Sequence, residues 1–246
     1  MKPYSYDYAL EQMKLFNSLI KEKSFGKCSI EKKTEYALED EGYMYKIHKK
    51  TKSNHIILKN GEEVLMDLCK KEIQGAFVSI KMAKGKVAVA GLGLGYVPYI
   101  MALKKEVSKV IVYEKNKDVI ELYNRNFKYN PKIDIINIDA FEAKSEHFDF
   151  YYVDIYNYEL SDKVVYDYEK LNKLHQIEEY SFWGIEHFLL SCNYNDIMFV
   201  YLPEGWAYMA KFMYGELESH GYLDYYYPLD ADLVRDVLMK FKKILN

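Results

Sequence analysis

KVAVAGLGLGYVPYI, residues 86–100, decides how the rest of the chain is read. No charge occurs from residue 87 to 103, a run near the shortest length at which a helix crosses a bilayer. Its residues argue against a span. Gly91, Gly93 and Gly95 each weaken a helix interior by about 0.5–1 kcal/mol relative to alanine. Pro98 interrupts it again, and Lys86, Lys104 and Lys105 crowd its ends. A buried strand, a glycine turn and a new helix fit the same residues better.

The composition agrees. The chain has 246 residues, of which 50% are apolar and 29% charged, enough to bury one sizeable core. Residues 1–16, MKPYSYDYALEQMKLF, lack the basic and continuously apolar regions of a secretory signal. Cys28, Cys69 and Cys192 lie far apart with no CxxC pair, and the six histidines show no ligand spacing, so no metal site is expected. The expected compartment is the cytoplasm, with no membrane partner. A net charge of −3 gives no electrostatic footprint for a nucleic-acid backbone, which favours a small-molecule partner. The 26 tyrosines can stack on bases or line a pocket, but amphipathic filling of half-buried positions accounts for most of them.

Residues 7–22 place Ala9, Leu10, Met13, Phe16, Leu19 and Ile20 at helical spacing. Residues 41–67 then hold short segments rich in β-formers, EGYMYKIHKK and SNHIILKNGEEVLMD, with Asn60-Gly61 as a hairpin turn. The stretch 68–84 reads as one helix closed by Gly85. Beyond it strands and helices alternate: strands at 86–90, 110–113, 133–138 and 148–153, helices at 96–105 and 117–127. Farther on, 163–192 reads as mostly helical, 197–202 as a fifth strand, and 206–220 and 231–245 as helices. This βαβ repetition with continuous apolar strands predicts an α/β fold, a parallel sheet with helices on both faces. A helix-plus-hairpin extension, residues 1–66, precedes the main domain, residues 67–246. That extension is a candidate cover for the site or a homodimer interface.

In open parallel sheets, ligands bind beyond the carboxyl ends of the strands, beside the turn after the first one. Gly91, Gly93 and Gly95 fall there, in a G-x-G-x-G spacing that departs from the dinucleotide fingerprint because Tyr96 follows directly. A tight bend would explain these glycines by itself. Three acids add to the signal. Glu114 ends the second strand about twenty residues on, where a carboxylate can accept both ribose hydroxyls. Asp139 and Ala140 follow the third strand at the level of an adenine amino group, and Asp154 follows the fourth. Together they favour a nucleoside site.

With these residues in view, the chain resembles the class I S-adenosylmethionine-dependent methyltransferases, Rossmann-like in fold, and among them the spermidine-synthase-like branch, over residues 56–156. The resemblance implies that Gly91, Gly93 and Gly95 line the methionine part of S-adenosylmethionine, Glu114 holds the ribose, Asp139 and Ala140 flank the adenine, and Asp154 lies at the transfer site. Spermidine synthases carry GGGDG at the turn and an aspartate-rich segment after the fourth strand. Here Leu94 and Asn157 stand at those places, which counts against aminopropyl transfer. Val89 replaces the acid that methyltransferases carry before the first glycine, and the [DN]-P-P-[YF] motif of base methylation is absent.

The expected activity is methyl transfer to an unidentified acceptor, a displacement that demands alignment and at most one proton removal. Asp154 is the candidate base, with a capping role as its alternative. Tyr156 and Tyr152 are candidate positioning groups, although alternation along the strand can turn Tyr152 into the core. His187 is a second candidate base and Trp183 and Trp206 are candidate walls of a substrate pocket, although all three sit among apolar neighbours and read more readily as structural. Aminopropyl transfer and a non-catalytic protein that retains the fold are the competing readings.

Overall fold

The computed structural model describes residues 6–36, 40–41, 43–44, 46–47, 52–156 and 159–246. The chain opens with helix α1, Tyr6–Leu19, which buries Ala9, Met13 and Phe16. Strands β1, Lys23–Phe25, and β2, Cys28–Tyr36, follow, then the short pair β3, Asp40–Glu41, and β4, Lys46–Ile47. Half of the EGYMYKIHKK stretch lies outside the described residues. Strands β5, Lys52–Asn60, and β6, Glu63–Leu68, form the hairpin expected at Asn60-Gly61, with Gly61 at φ 59°. Strands β1, β2, β5 and β6 form one antiparallel sheet in that order.

The single helix expected over residues 68–84 is instead the end of β6 and two short helices, α2, Lys70–Gly75, and α3, Phe77–Met82. Gly85 does not close a helix. It opens strand β7, Gly85–Ala90, at φ 63°, where a Cβ would run into the Asp149 carboxylate that accepts the Lys86 N–H at 2.6 Å.

The second sheet is parallel. After β7 come α4, Tyr96–Leu103; β8, Val107–Tyr113; α5, Lys117–Asn126; β9, Ile133–Ile136; and β10, His147–Val153. Residues 163–192 are not continuously helical. Helix α6, Lys163–Leu174, gives way to strand β11, Gln176–Phe182, before α7, Ile185–Ser191. β11 pairs in parallel with β10 from His147↔Gln176 to Val153↔Phe182, so the fifth strand lies here. The apolar stretch 197–202 is no strand. It follows the short α8, Tyr194–Ile197, and its backbone is tied by Asn246, which donates to the Phe199 carbonyl at 3.0 Å and accepts from Tyr201 N–H at 2.9 Å. Helices α9, Glu204–Ser219, and α10, Ala231–Leu245, complete the chain.

The order β11-β10-β7-β8-β9 makes β7 central and reverses direction between β7 and β10. Adjacent residues of a strand face opposite sides, yet Val87 to Ala90 and Phe150 to Val153 are all 0% exposed. Both faces of the sheet are therefore covered, which is why these strands read as unbroken apolar runs. On one flank Phe16 meets Tyr96 and Tyr99 edge-on; on another Phe241 packs on Tyr168, Phe182 and Trp206. This is a Rossmann-like arrangement preceded by an antiparallel extension. Among the described residues no helix is long and apolar enough to cross a membrane.

Candidate functional site

The reversal of strand order leaves a crevice beyond the carboxyl ends of β7 and β10, and a cleft of 510 Å³ opens there. Gly91, Gly93, Glu114, Asp139, Ala140, Asp154 and Tyr156 all line it. Gly95 does not. It begins α4 at φ 79°, and a Cβ there would strike the Tyr123 ring, so this glycine serves helix packing. Gly91 stands at φ 96°, its N–H bonded to the Tyr113 carbonyl at 3.0 Å, and a Cβ would meet the Asp154 carbonyl oxygen. Its absence of a side chain lets the segments after β7 and β10 approach. Leu92 and Leu94 alternate with the glycines and are 3% exposed, anchoring the turn in the core.

Glu114 fixes this turn. Its Oε2 accepts from Leu92 N–H at 3.0 Å and its Oε1 from Asn116 N–H at 2.7 Å. Each carboxylate oxygen has a second lone pair, so the group can brace the backbone and still accept from a ligand. Asn116 in turn caps α5, accepting from Asp118 N–H at 3.0 Å. Asp139 behaves alike one strand over: Oδ1 accepts from Phe141 N–H at 3.0 Å beside Ala140.

On the opposite wall Asp154 hydrogen-bonds Glu72, which α2 carries into the cleft. Burial raises the Asp154 carboxyl to about 7, partly offset by the Glu72 bond. Glu72 is 1% exposed. Tyr156 donates its hydroxyl to Asp167 Oδ2 at 3.0 Å, and burial holds the phenol far above its ordinary range. It is a wall fixed by α6 and no proton acceptor. Asn157 lies outside the described residues.

Met66, from β6, meets the glycine turn. The Leu94 N–H donates to its sulfur at 3.0 Å, and a Cβ on Gly93 would collide with the same atom. Glu72, Met66 and Asp167 had no mark in the sequence as site residues, because each comes from an element that only folding brings to the crevice.

The other candidates lie elsewhere. Tyr152 is 0% exposed and belongs to the core, not to substrate positioning. Trp206 is buried and donates to the Tyr180 carbonyl at 2.7 Å. His187 Nε2 bonds the Tyr227 carbonyl at 2.8 Å, and burial lowers its pKa to about 4. With Trp183 it lines a separate cavity of 90 Å³.

No family model matches the chain, and no curated protein does. Among solved structures it is similar to a conserved hypothetical protein from Streptococcus pyogenes, with 20% identity, a TM-score of 0.32, and coverage of 41% of this chain and 66% of that one. It is similar to spermidine synthase from Thermotoga maritima, with 11% identity, a TM-score of 0.38 and coverage of 57% and 54%. The 23S rRNA methyltransferase ErmE aligns at 18% identity and a TM-score of 0.31, with coverage of 42% and 41%. The chain thus spans less than two thirds of each of these proteins. Likenesses this shallow carry no argument about activity, and the fold stands on the strand order.

Proposed function

We propose that this chain is an S-adenosylmethionine-dependent methyltransferase acting on a small-molecule acceptor. One observation carries the reading: the crevice at the strand-order reversal brings a left-handed glycine turn and the acids of two successive strand ends opposite the carboxyl pair of half-buried Asp154 and buried Glu72. The residues fit an adenosyl group. Gly91 and Gly93 leave backbone exposed along the cleft, Glu114 keeps free lone pairs for ribose hydroxyls, and Asp139 with Ala140 would border the adenine. At the methionyl end the Leu94 N–H is held by Met66 and opens to a ligand only when that side chain turns away.

The cofactor supplies a sulfonium methyl as electrophile. The protein's part is alignment and proton handling. Asp154, its pKa raised to about 7 by burial, accepts the proton that the acceptor's nucleophile sheds, with Glu72 beside it in the cleft. Tyr156, held by Asp167, forms the side wall. The same carboxyl pair favours a second reading, aminopropyl transfer to a cationic amine, since acids attract ammonium groups.

Calorimetric titration with S-adenosylmethionine and with its decarboxylated form, on the wild-type chain and Glu114→Ala, tests both. Micromolar binding abolished in the variant supports the nucleoside site, and the preferred ligand separates the two transfers. No binding of either at millimolar concentration refutes the cofactor.

A further inference from the structure

We propose that His55, Asp67 and Cys69 form a binding site for one divalent transition-metal ion of the zinc type, on the β5–β6 hairpin and apart from the residues assigned to the nucleoside. The hairpin register assembles them. Ile57 pairs with Asp67 and Ile56 with Leu68, so one further step sets His55 opposite Cys69. Positions 55, 67 and 69 therefore share a face of the ladder, and directly opposed side chains there lie within contact. Three residues that show no ligand spacing along the chain are thereby brought together.

The distances agree. His55 Nδ1 stands 2.8 and 3.0 Å from the two Asp67 carboxylate oxygens, and one donor atom from each of the three residues lies within 4.8 Å of the others. Metal bonds of about 2.0–2.3 Å place tetrahedral ligand atoms about 3.3–3.8 Å apart, so an ion asks His55 and Asp67 to part by about 0.5 Å and donors as far apart as 4.8 Å to close by about 1–1.5 Å. All three residues are half-buried, which shields the bonds while leaving room for a fourth ligand such as water.

The donor set names the class of ion. Imidazole nitrogen, thiolate sulfur and carboxylate oxygen suit zinc or cobalt, whereas calcium and magnesium take oxygen donors alone. Asp67 and a Cys69 thiolate bring two negative charges, enough to hold a divalent cation against the neighbouring Lys70 and Lys71. The ion would have a structural consequence. Cys69 is the residue from which α2 starts, and α2 carries Glu72 to Asp154, so the bond would tie the hairpin to the helix that completes the cleft.

The full chain, stripped with chelator and dialysed, would be titrated with cobalt(II) and then zinc. The expected result is one cobalt per chain with a thiolate-to-cobalt charge-transfer band, displaced by zinc. Cys69→Ser should abolish the band, His55→Ala should weaken binding at least tenfold, and Cys192→Ser should leave both unchanged. Absence of the band in the wild type, or its survival in Cys69→Ser, overturns the proposal and leaves a His55–Asp67 ion pair beside an idle thiol. If Cys69→Ser does not fold, X-ray absorption on the zinc-loaded wild type decides. One sulfur with nitrogen and oxygen ligands supports the site, and a shell without sulfur refutes it.

Discussion

Replacing Asp154 with asparagine will change how the protein's stability follows pH, in a direction fixed by where the carboxyl sits. Burial raises its pKa from 3.8 to about 7 in the folded chain. Between these values the folded chain holds a proton that the unfolded chain has released. The contribution of this group is therefore fully present below about pH 4 and is lost as the pH rises through about 7. At about 1.36 kcal/mol per pH unit the complete loss is about 4 kcal/mol. Asp154 is only half-buried beside an open cleft, so about 2–4 kcal/mol is the expected range.

Asparagine keeps the shape of the neutral carboxyl and does not titrate. Urea unfolding of both proteins across about pH 4 to 8 should show the Asp154→Asn variant gaining about 2–4 kcal/mol on the wild type as the pH rises. The difference is the informative quantity, because other buried groups titrate in the same window. Burial raises Glu186 to about 8, with the same sign as Asp154. Burial lowers His187 to about 4, so its contribution to stability grows with pH from about 4 to 6.5, the opposite sign. Both are common to wild type and variant and cancel, whereas Glu72 is coupled to Asp154, so the difference reports the titration of the carboxyl pair. Parallel profiles for the two proteins would refute the reasoning and show Asp154 ionising as an ordinary surface acid.

Glu114→Gln retains one acceptor oxygen for the two backbone donors of Leu92 and Asn116, so urea unfolding should show a loss of about 1–3 kcal/mol, and calorimetry at least a tenfold fall in nucleoside affinity. Gly91→Ala puts a Cβ against the Asp154 carbonyl at a φ of 96°; a loss of about 2 kcal/mol or more is expected in thermal or urea unfolding, and an unchanged midpoint would remove the close approach. Met66→Ala frees the Leu94 N–H and should tighten S-adenosylmethionine binding in calorimetry while costing about 2 kcal/mol of stability. Trp206→Ala should cost about 3–5 kcal/mol in the same unfolding assay yet leave ligand affinity untouched, since the ring lies in the core away from the cleft.

The parts of the fold legible in the sequence are those whose burial is symmetrical. β7, β8 and β10 are covered on both faces and read as apolar runs, and the turn at Gly91 and Gly93 stands out against them. β11 escaped notice because it is an edge strand whose first half, with Glu178 and Glu179, is largely exposed; only Tyr180, Ser181 and Phe182 are buried. The converse error fell at residues 197–202, strand-like in composition but with Phe199 67% and Tyr201 78% exposed. Glu114, Asp139 and Asp154 could be placed in the cleft because strand ends converge by topology alone. Glu72 could not, since an acid in DLCKKEIQG looks like the solvated face of a helix until the first turn of α2 is seen to bring it to the cleft beside Asp154. His55, Asp67 and Cys69 likewise need the hairpin register, which lies in the pairing of two strands and in no local spacing.

The carboxyl pair also bears on why the cleft exists. Holding Asp154 where ionisation is opposed by burial destabilises the folded chain at neutral pH by the amount calculated above, and an apolar residue of similar size would avoid that loss. Strongly perturbed acids concentrate where chemistry needs them. Structural networks perturb acids as well, and Glu186, raised to about 8 beside Tyr43 and outside the lining of the main cleft, is an example in this chain. What separates the two is access. Glu186 is 0% exposed and lines neither the 510 Å³ cleft nor the 90 Å³ cavity, whereas Asp154 and Glu72 both line the larger one. A bound ligand can therefore read the charge of the pair. A cationic ligand would favour the ionised form and pull the Asp154 titration to lower pH; a neutral adenosyl ligand without an acceptor would leave it in place. The pH dependence of binding, compared between wild type and Asp154→Asn, then reports which part of the cleft a given ligand occupies.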